Sequence, residues 1–166
     1  MPYLRTLTRY KSWADELLYA AVASLPAKDI EAPRPIVFGS LLRTLHHVYA
    51  MDQVWRAHLE GRPHEYTSRN PNACPPFDTL RSWQQQSDAW YVKCAQELPP
   101  SRLEEIVQFT FIGGGSGSMS RAEILMHVVN HTTYHRGHVA DMMCHLSSPP
   151  PTTDLPVFLR EDRNQA

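Results

Sequence analysis

Proline is unevenly distributed along this chain of 166 residues, and its positions limit where helices can form. Because proline lacks a backbone N–H and clashes with the preceding turn, proline clusters mark connections between helices. The clusters lie at residues 26–35, 63–76, 99–100 and 149–156. The proline-poor segments between them, each long enough for a substantial helix, span about residues 3–25, 38–60, 77–98 and 119–146. Most carry apolar residues three and four positions apart, so the sequence predicts an all-α four-helix bundle.

The segment before the last of these helices has a different composition. Residues 106–112 are rich in β-branched and aromatic side chains, and residues 113–117 contain four glycines. We expect a short extended segment and then a flexible loop, which together make a long irregular connection. Ser120 and Glu123 have the spacing of a capping box, which marks the start of the last helix. We expect one domain over residues 1–166, ending in an extended C-terminal tail at residues 148–166.

The charge and hydropathy of the chain exclude some classes of protein. Sixteen Lys and Arg residues against seventeen Asp and Glu residues give a net charge of −1, whereas a nucleic-acid binder needs a basic excess to contact phosphates. No apolar run approaches the length of a transmembrane helix. The cysteines are odd in number and form no Cys-x-x-Cys pair, which favours reduced thiols. We therefore expect a cytoplasmic protein that binds neither nucleic acid nor a membrane.

Histidine is concentrated in the last predicted helix. This helix holds five of the nine histidines in the chain, namely His127, His131, His135, His138 and His145. The first four are spaced by four, four and three residues, so they share one stripe of the helix. Two imidazoles four residues apart on a helix can bind one metal ion together, and His131 and His135 have this spacing. The spacing alone is equally compatible with histidines that are solvated or singly hydrogen-bonded.

A useful metal site needs a third ligand from another helix. The second predicted helix offers His46 and His47, of which only one can point into the bundle, and their spacing does not say which. Three histidine ligands leave a tetrahedral metal ion one open position for water or for a substrate thiolate or oxygen. We expect His58 and His64, near the end of the same helix, to lie on the surface.

Two stretches of the chain resemble the DinB-like proteins. Residues 38–55 contain the pattern His-x4-Asp-x2-Trp and resemble the second helix of that family, and residues 127–138, with Asn-His-x3-His-Arg-Gly, resemble its last core helix. Residues 10–15 and the tail at residues 153–159 are also similar to it. The resemblance implies an up-and-down four-helix bundle, often a homodimer, in which three histidines hold a divalent metal ion. Matched to the family pattern, the implied ligands are His47, His131 and His135.

Five further residues near these motifs have roles that the sequence leaves open. His138 stands where the family pattern has glutamine, and it can hydrogen-bond a ligand or serve as a fourth ligand. We expect His127, one turn before the first ligand of its helix, in the core or beside a ligand. Asp52 can orient a ligating histidine or remain a charge on the helix surface. Arg136 can anchor an anionic substrate or form a salt bridge, and Tyr134 is expected in the core or at a pocket wall.

Together with the resemblance, these features indicate two candidate functions. The first is a metal-dependent enzyme, either a thiol-dependent transferase or a hydrolase, in which the open coordination position activates a thiol or water. Its substrate would be a small molecule such as a low-molecular-weight thiol, and no residue is assigned as catalytic. The second is a non-enzymatic, stress-related bundle that binds metal. Zinc or nickel is the expected ion, and iron, manganese or copper is also compatible with the site.

Overall fold

Four long helices form the body of the protein, whose computed structural model describes residues 2–146 and 148–164. They are α1 (Pro2–Ala23), α3 (Leu41–Glu60), α4 (Phe77–Glu97) and α5 (Arg121–Cys144), and two shorter helices are α2 (Ala27–Glu31) and α6 (Leu155–Asn164). Because α1 and α3 each pack against both α4 and α5, the long helices close into a bundle. The predicted all-α four-helix bundle is confirmed. Among the described residues, no helix is both long and apolar enough to cross a membrane.

Local signals in the sequence set the ends of the bundle helices. At the start of α3, the Ser40 hydroxyl accepts a hydrogen bond from the backbone N–H of Arg43 at 3.1 Å, and α3 ends at Gly61, whose φ of 67° is left-handed. α5 begins with the predicted capping box, in which Ser120 and Glu123 each accept from the other's backbone N–H. These caps satisfy backbone groups that a helix end leaves unpaired, so the observed bounds lie within a few residues of the predicted ones.

The connection between α4 and α5 is more regular than expected. A short 3-10 helix at Pro100–Arg102 leads into an antiparallel hairpin of β1 (Ile106–Thr110) and β2 (Ser116–Ser120). β1 coincides with the predicted extended segment. At the position of β2 the sequence predicts a flexible loop, because serine and glycine have a low strand propensity. Gly117 pairs with Phe109, and a Cβ at Gly117 would come within 2.5 Å of the Phe109 ring, so glycine permits this close approach.

The C-terminal segment, expected to be extended, instead folds back on the bundle as α6. Phe158 is buried against the rings of Tyr10 and Trp13, with centroid distances of 5.8 and 5.6 Å. The Trp13 indole also donates a hydrogen bond to Glu161. Pro156 stands in the first turn of α6, where a missing N–H is tolerated, so this proline is compatible with a helix. Residues 165 and 166, which we also assigned to the tail, lie outside the described residues.

A buried ionic cluster joins three helices inside the bundle. Lys11 of α1 is 1% exposed, and its ammonium lies 3.0 Å from Asp15, 2.9 Å from Asp52 of α3 and 2.5 Å from Asp88 of α4. The side-chain amide of Gln84 donates to Asp52 and Asp88 at 2.9 and 3.0 Å. Removing these charges from water is costly, and their mutual contacts offset that cost. We refer to these five residues as the Lys11 cluster.

Candidate metal centre

Three histidines come together where α3 packs on α5. His47 of α3 and His131 and His135 of α5 each offer a ring nitrogen, and these atoms all lie within 4.8 Å of one another. His47 is 4% exposed and His135 is 6% exposed, while His131 is half-buried. In the part of the chain that the structure describes, no other group of three histidine, cysteine or acidic side chains is spaced to share a metal ion. We refer to these three residues as the histidine site.

The two adjacent histidines of α3 occupy different environments. His46 is buried but does not belong to the histidine site, and its Nδ1 has no hydrogen-bond partner. Successive residues on a helix are rotated by about 100°, so only one of two neighbours can face α5. His47 is the neighbour that does so, which is the choice that the spacing left open.

The hydrogen bond of His47 fixes which of its ring nitrogens is free. Its Nδ1 lies 2.6 Å from the backbone carbonyl oxygen of Arg69, which can only accept a hydrogen bond. Nδ1 therefore carries the proton, and the free Nε2 lies 3.1 Å from Nε2 of His131. A metal-ligating histidine has this tautomer, with its second nitrogen donating to a carbonyl. Sequence reasoning missed Arg69 because every residue type carries the same carbonyl.

Burial keeps the histidine site uncharged. Desolvation, to which the charges of neighbouring histidines add, lowers the pKa of His131 to about 3 and that of His135 to about 4. Desolvation also lowers the pKa of His47, and the hydrogen bond to Arg69 partly opposes that shift. Protonation would occupy the lone pair that binds a metal ion. At neutral pH the site therefore presents three neutral imidazoles.

His138 and Tyr134 surround the ring of His135. The Nδ1 atoms of His135 and His138 are 3.3 Å apart, so one ring donates a hydrogen bond to the other. If His135 binds a metal through Nε2, its Nδ1 is the donor and His138 accepts, which is the first of the two roles left open for His138. The Tyr134 ring lies 4.9 Å from the His135 ring and 4.7 Å from the His138 ring. Tyr134 is exposed, so the expectation of a core position was wrong.

Aromatic rings also contact the histidine site. Phe38, in the loop before α3, stacks on the His47 ring at a centroid distance of 4.0 Å. The His127 ring lies 5.7 Å from the His131 ring and 4.8 Å from the Trp55 ring, so His127 packs beside the site without joining it. Sequence reasoning missed the role of Phe38 because it precedes the helix and therefore belongs to no periodic pattern.

His58 and His64 are not simple surface residues. Their ring centroids are 5.3 Å apart, and the His58 ring packs against Phe109 of the hairpin at 5.5 Å. Both side chains are half-buried, and desolvation lowers the pKa of His58. The surface prediction was wrong because β1 packs over the end of α3, which the periodicity of one helix cannot show.

Asp52 and Arg136 are both buried, and neither forms the polar contact first considered for it. Asp52 accepts hydrogen bonds from Lys11 and Gln84, so it belongs to the Lys11 cluster. Both roles considered for Asp52 from the sequence were therefore wrong, because it neither orients a ligating histidine nor lies on the helix surface. Arg136 donates to the Tyr10 hydroxyl at 2.5 Å and lies over that ring, and it forms no salt bridge with a described residue.

The chain is similar along most of its length to proteins of one family. The DinB family model matches residues 1–165. Protein DinB of Bacillus subtilis (strain 168) is 24% identical over 159 residues, which is 92% of this chain and 91% of that protein. A DinB-like protein from Bacillus cereus ATCC 10987 has a crystal structure that matches with a TM-score of 0.67 and 17% identity, over 87% of this chain and 91% of that one. At this identity the structural likeness concerns the fold.

Proposed function

The chain belongs to the DinB family, and we propose that it binds one divalent transition-metal ion through His47, His131 and His135. The observation that carries this proposal is the free Nε2 of His47, held 3.1 Å from Nε2 of His131 by the hydrogen bond to Arg69. Two nitrogen ligands of a tetrahedral zinc ion lie about 3.3 Å apart, given zinc–nitrogen bonds of about 2.0–2.1 Å. The spacing of this nitrogen pair and the uncharged state of the histidines therefore both fit such an ion.

We further propose that the protein is a metal-dependent enzyme. A transition-metal ion held by three histidines keeps an open coordination position, at which it can activate water or a thiol. All three protein ligands are neutral, so the site favours an anionic fourth ligand such as hydroxide or a thiolate. A thiol-dependent transferase or a hydrolase acting on a small molecule fits this preference. Zinc or nickel is the ion we expect, although imidazole also suits iron and copper.

Residues around the histidine site hold its three side chains in an orientation suited to metal binding. The Arg69 carbonyl fixes the tautomer and the orientation of His47. His138 pairs with His135 and restricts the rotation of its ring. Phe38 covers one face of the His47 ring and excludes water there. These contacts hold the ligands in place before any ion binds, which reduces the conformational entropy lost on binding.

A second function, a non-enzymatic metal-binding bundle, is favoured by the burial of two ligands. His47 and His135 are both buried, and Phe38 stacks on His47, so a substrate has limited access from that direction. In this case the ion would join α3 to α5 and stabilise the folded state, because it binds the folded chain more tightly than the unfolded one.

Elemental analysis of the tag-free protein tests the metal site. After exposure to zinc or nickel, we expect about one ion per chain in the wild type and in the control His145→Ala, whose side chain is 74% exposed. We expect the ion to be lost in His47→Ala and His131→Ala, with circular dichroism showing that their helices remain. Equal metal content in all four proteins, or none in the reconstituted wild type, would contradict the proposal.

Cobalt substitution separates the enzyme from the non-enzymatic bundle. Co(II) has a visible absorption spectrum that changes when a ligand enters its coordination sphere. For an enzyme with an open position, we expect the spectrum to shift on addition of a low-molecular-weight thiol. An unchanged spectrum, together with a higher melting temperature on metal binding, would favour the non-enzymatic bundle.

A further inference from the structure

A second polar site lies in a cleft between α1 and α4. The cleft has a volume of about 200 Å³, and its eight lining residues include Asp15, Tyr19, Gln84 and Asp88. Two further charged residues, Glu16 and Arg81, also line it. The residues of the histidine site do not line it. Three of the eight lining residues, Asp15, Gln84 and Asp88, belong to the Lys11 cluster, so the cleft opens onto that cluster.

The Lys11 cluster contains more acidic than basic groups. Asp15, Asp52 and Asp88 all face the single ammonium of Lys11. No other lysine or arginine in the described part of the chain forms an ion pair with these carboxylates. Buried carboxylates in excess require either bound protons or a further cation to offset their charge.

Two buried polar atoms at the cleft wall have no hydrogen-bond partner in the described chain. Gln84 is 1% exposed, and its amide nitrogen already donates to Asp52 and Asp88, which leaves Oε1 as an unused acceptor. Tyr19 is 4% exposed, and its hydroxyl is also unpaired. Buried polar atoms are nearly always paired in folded proteins, so these two indicate where a ligand can donate and accept hydrogen bonds.

The spacing of the acidic groups suits an ammonium better than a metal ion. Direct metal coordination needs closely grouped ligand atoms, and among the described residues only the histidine site has three groups placed to hold one ion. The same carboxylates already receive one ammonium, that of Lys11, at 2.5 to 3.0 Å. The unused Gln84 Oε1 is an amide oxygen, which N–H donors match well.

We propose that the cleft between α1 and α4 binds the primary ammonium group of a small molecule, with Asp15, Asp88 and Gln84 as acceptors. Asp88 Oδ1 already accepts from Lys11 and Gln84, so Oδ2 is the oxygen that remains for the ligand. The bound charge offsets part of the excess negative charge of the Lys11 cluster. A volume of about 200 Å³ accommodates an ammonium with a short aliphatic chain, since a water molecule occupies about 30 Å³. This site is independent of the function proposed for the histidine site.

A proton competes with the ligand at Asp88. Desolvation, together with the charges of Asp15 and Asp52 and against the opposing charge of Lys11, raises the pKa of Asp88 to about 8. Lys11 and Asp15 lie on α1, and Asp52 lies on α3. Gln84 contacts Asp88 from α4, the helix that carries both residues. A primary alkylamine remains charged at pH 9, as lysine does. The amine should therefore bind more tightly at pH 9 than at pH 6.

Nuclear magnetic resonance titration of the metal-free protein with butylammonium chloride at pH 9 tests the site. Tetramethylammonium chloride is the matched ligand control, because it carries the same charge without N–H donors. We expect saturable shifts of the Gln84 side-chain amide with butylammonium, and affinity at least about tenfold lower for tetramethylammonium. Asp88→Asn should weaken butylammonium binding by about tenfold or more, as expected for loss of one charge-assisted hydrogen bond. Tyr19→Phe should weaken it less, and Asp141→Asn, at an exposed position, should leave it unchanged.

Several outcomes would overturn the proposal. Equal binding of the two cations would mean nonspecific attraction to negative charge. Binding of Mg²⁺ or Ca²⁺ without butylammonium would make the cleft a metal site. Full affinity in a folded Asp88→Asn variant would exclude Asp88 as an acceptor. If Asp88→Asn does not fold, the test uses Tyr19→Phe and Gln84→Met instead. Unchanged butylammonium affinity in both of these variants would overturn the proposal.

Discussion

Replacing Asp88 by asparagine should change how the stability of the protein depends on pH. Asp88 is buried, and its Oδ1 accepts hydrogen bonds from Lys11 and Gln84. Asparagine keeps that oxygen and the shape of the side chain but cannot ionise. The variant therefore removes one titrating group from the Lys11 cluster while its hydrogen bonds can persist.

The expected size of this change in stability follows from the pKa of Asp88. This pKa is about 8 in the folded protein and 3.8 for an ordinary aspartate, so between these values the folded state binds more protons than the unfolded state. The wild type therefore loses stability as pH rises through this window, by up to about 1.4 kcal/mol per pH unit. From pH 6 to pH 7.5, the stability of Asp88→Asn relative to the wild type should rise by about 2 kcal/mol.

Urea denaturation of the metal-free proteins between pH 5 and pH 8 measures this difference. The histidines titrate in both proteins, so their contribution cancels when the variant is compared with the wild type. Asp141→Asn is the control, because its side chain is 69% exposed and should give a difference independent of pH. A difference for Asp88→Asn that stays constant, or that falls as pH rises, would refute the reasoning.

Other substitutions test the rest of the fold. Lys11→Met leaves three buried carboxylates without a cation, so urea denaturation at pH 7 should show a loss of about 3–5 kcal/mol. Phe158→Ala removes the buried contact of α6, should cost about 3 kcal/mol, and should speed limited proteolysis within residues 155–164. Gly117→Ala displaces the Phe109 ring at a cost of about 1–3 kcal/mol, and unchanged amide exchange in the hairpin would contradict it. Ser120→Ala removes the cap of α5 and should lower thermal stability by about 1 kcal/mol.

Features that depend on neighbouring residues in the sequence could be predicted well. Proline clusters and the capping box at Ser120 act over a few residues, so they locate the bundle helices without knowledge of the tertiary structure. The spacing of His131 and His135 places both on one stripe of α5 for the same reason. The choice between His46 and His47 needed the family pattern, because the rotation of α3 is set by its packing against other helices.

Features that depend on contacts between distant segments could not be predicted. Lys11 lies on an amphipathic helix, where a lysine usually faces solvent, and only the convergence of α1, α3 and α4 buries it. Strand β2 forms because β1 is available to pair with it, although its own residues have low strand propensity. Helix α6 is fixed by Phe158 docking on rings more than a hundred residues earlier in the chain.

The contact between His47 and the carbonyl of Arg69 has a consequence for how this chain can diverge in evolution. A backbone carbonyl is present whatever residue occupies position 69, so substitutions there leave the hydrogen bond to His47 intact. An inserted or deleted residue between α3 and position 69 would instead shift the carbonyl away from the ring. Related chains that keep this contact should therefore vary in the composition of that loop and vary little in the distance along it from α3 to position 69.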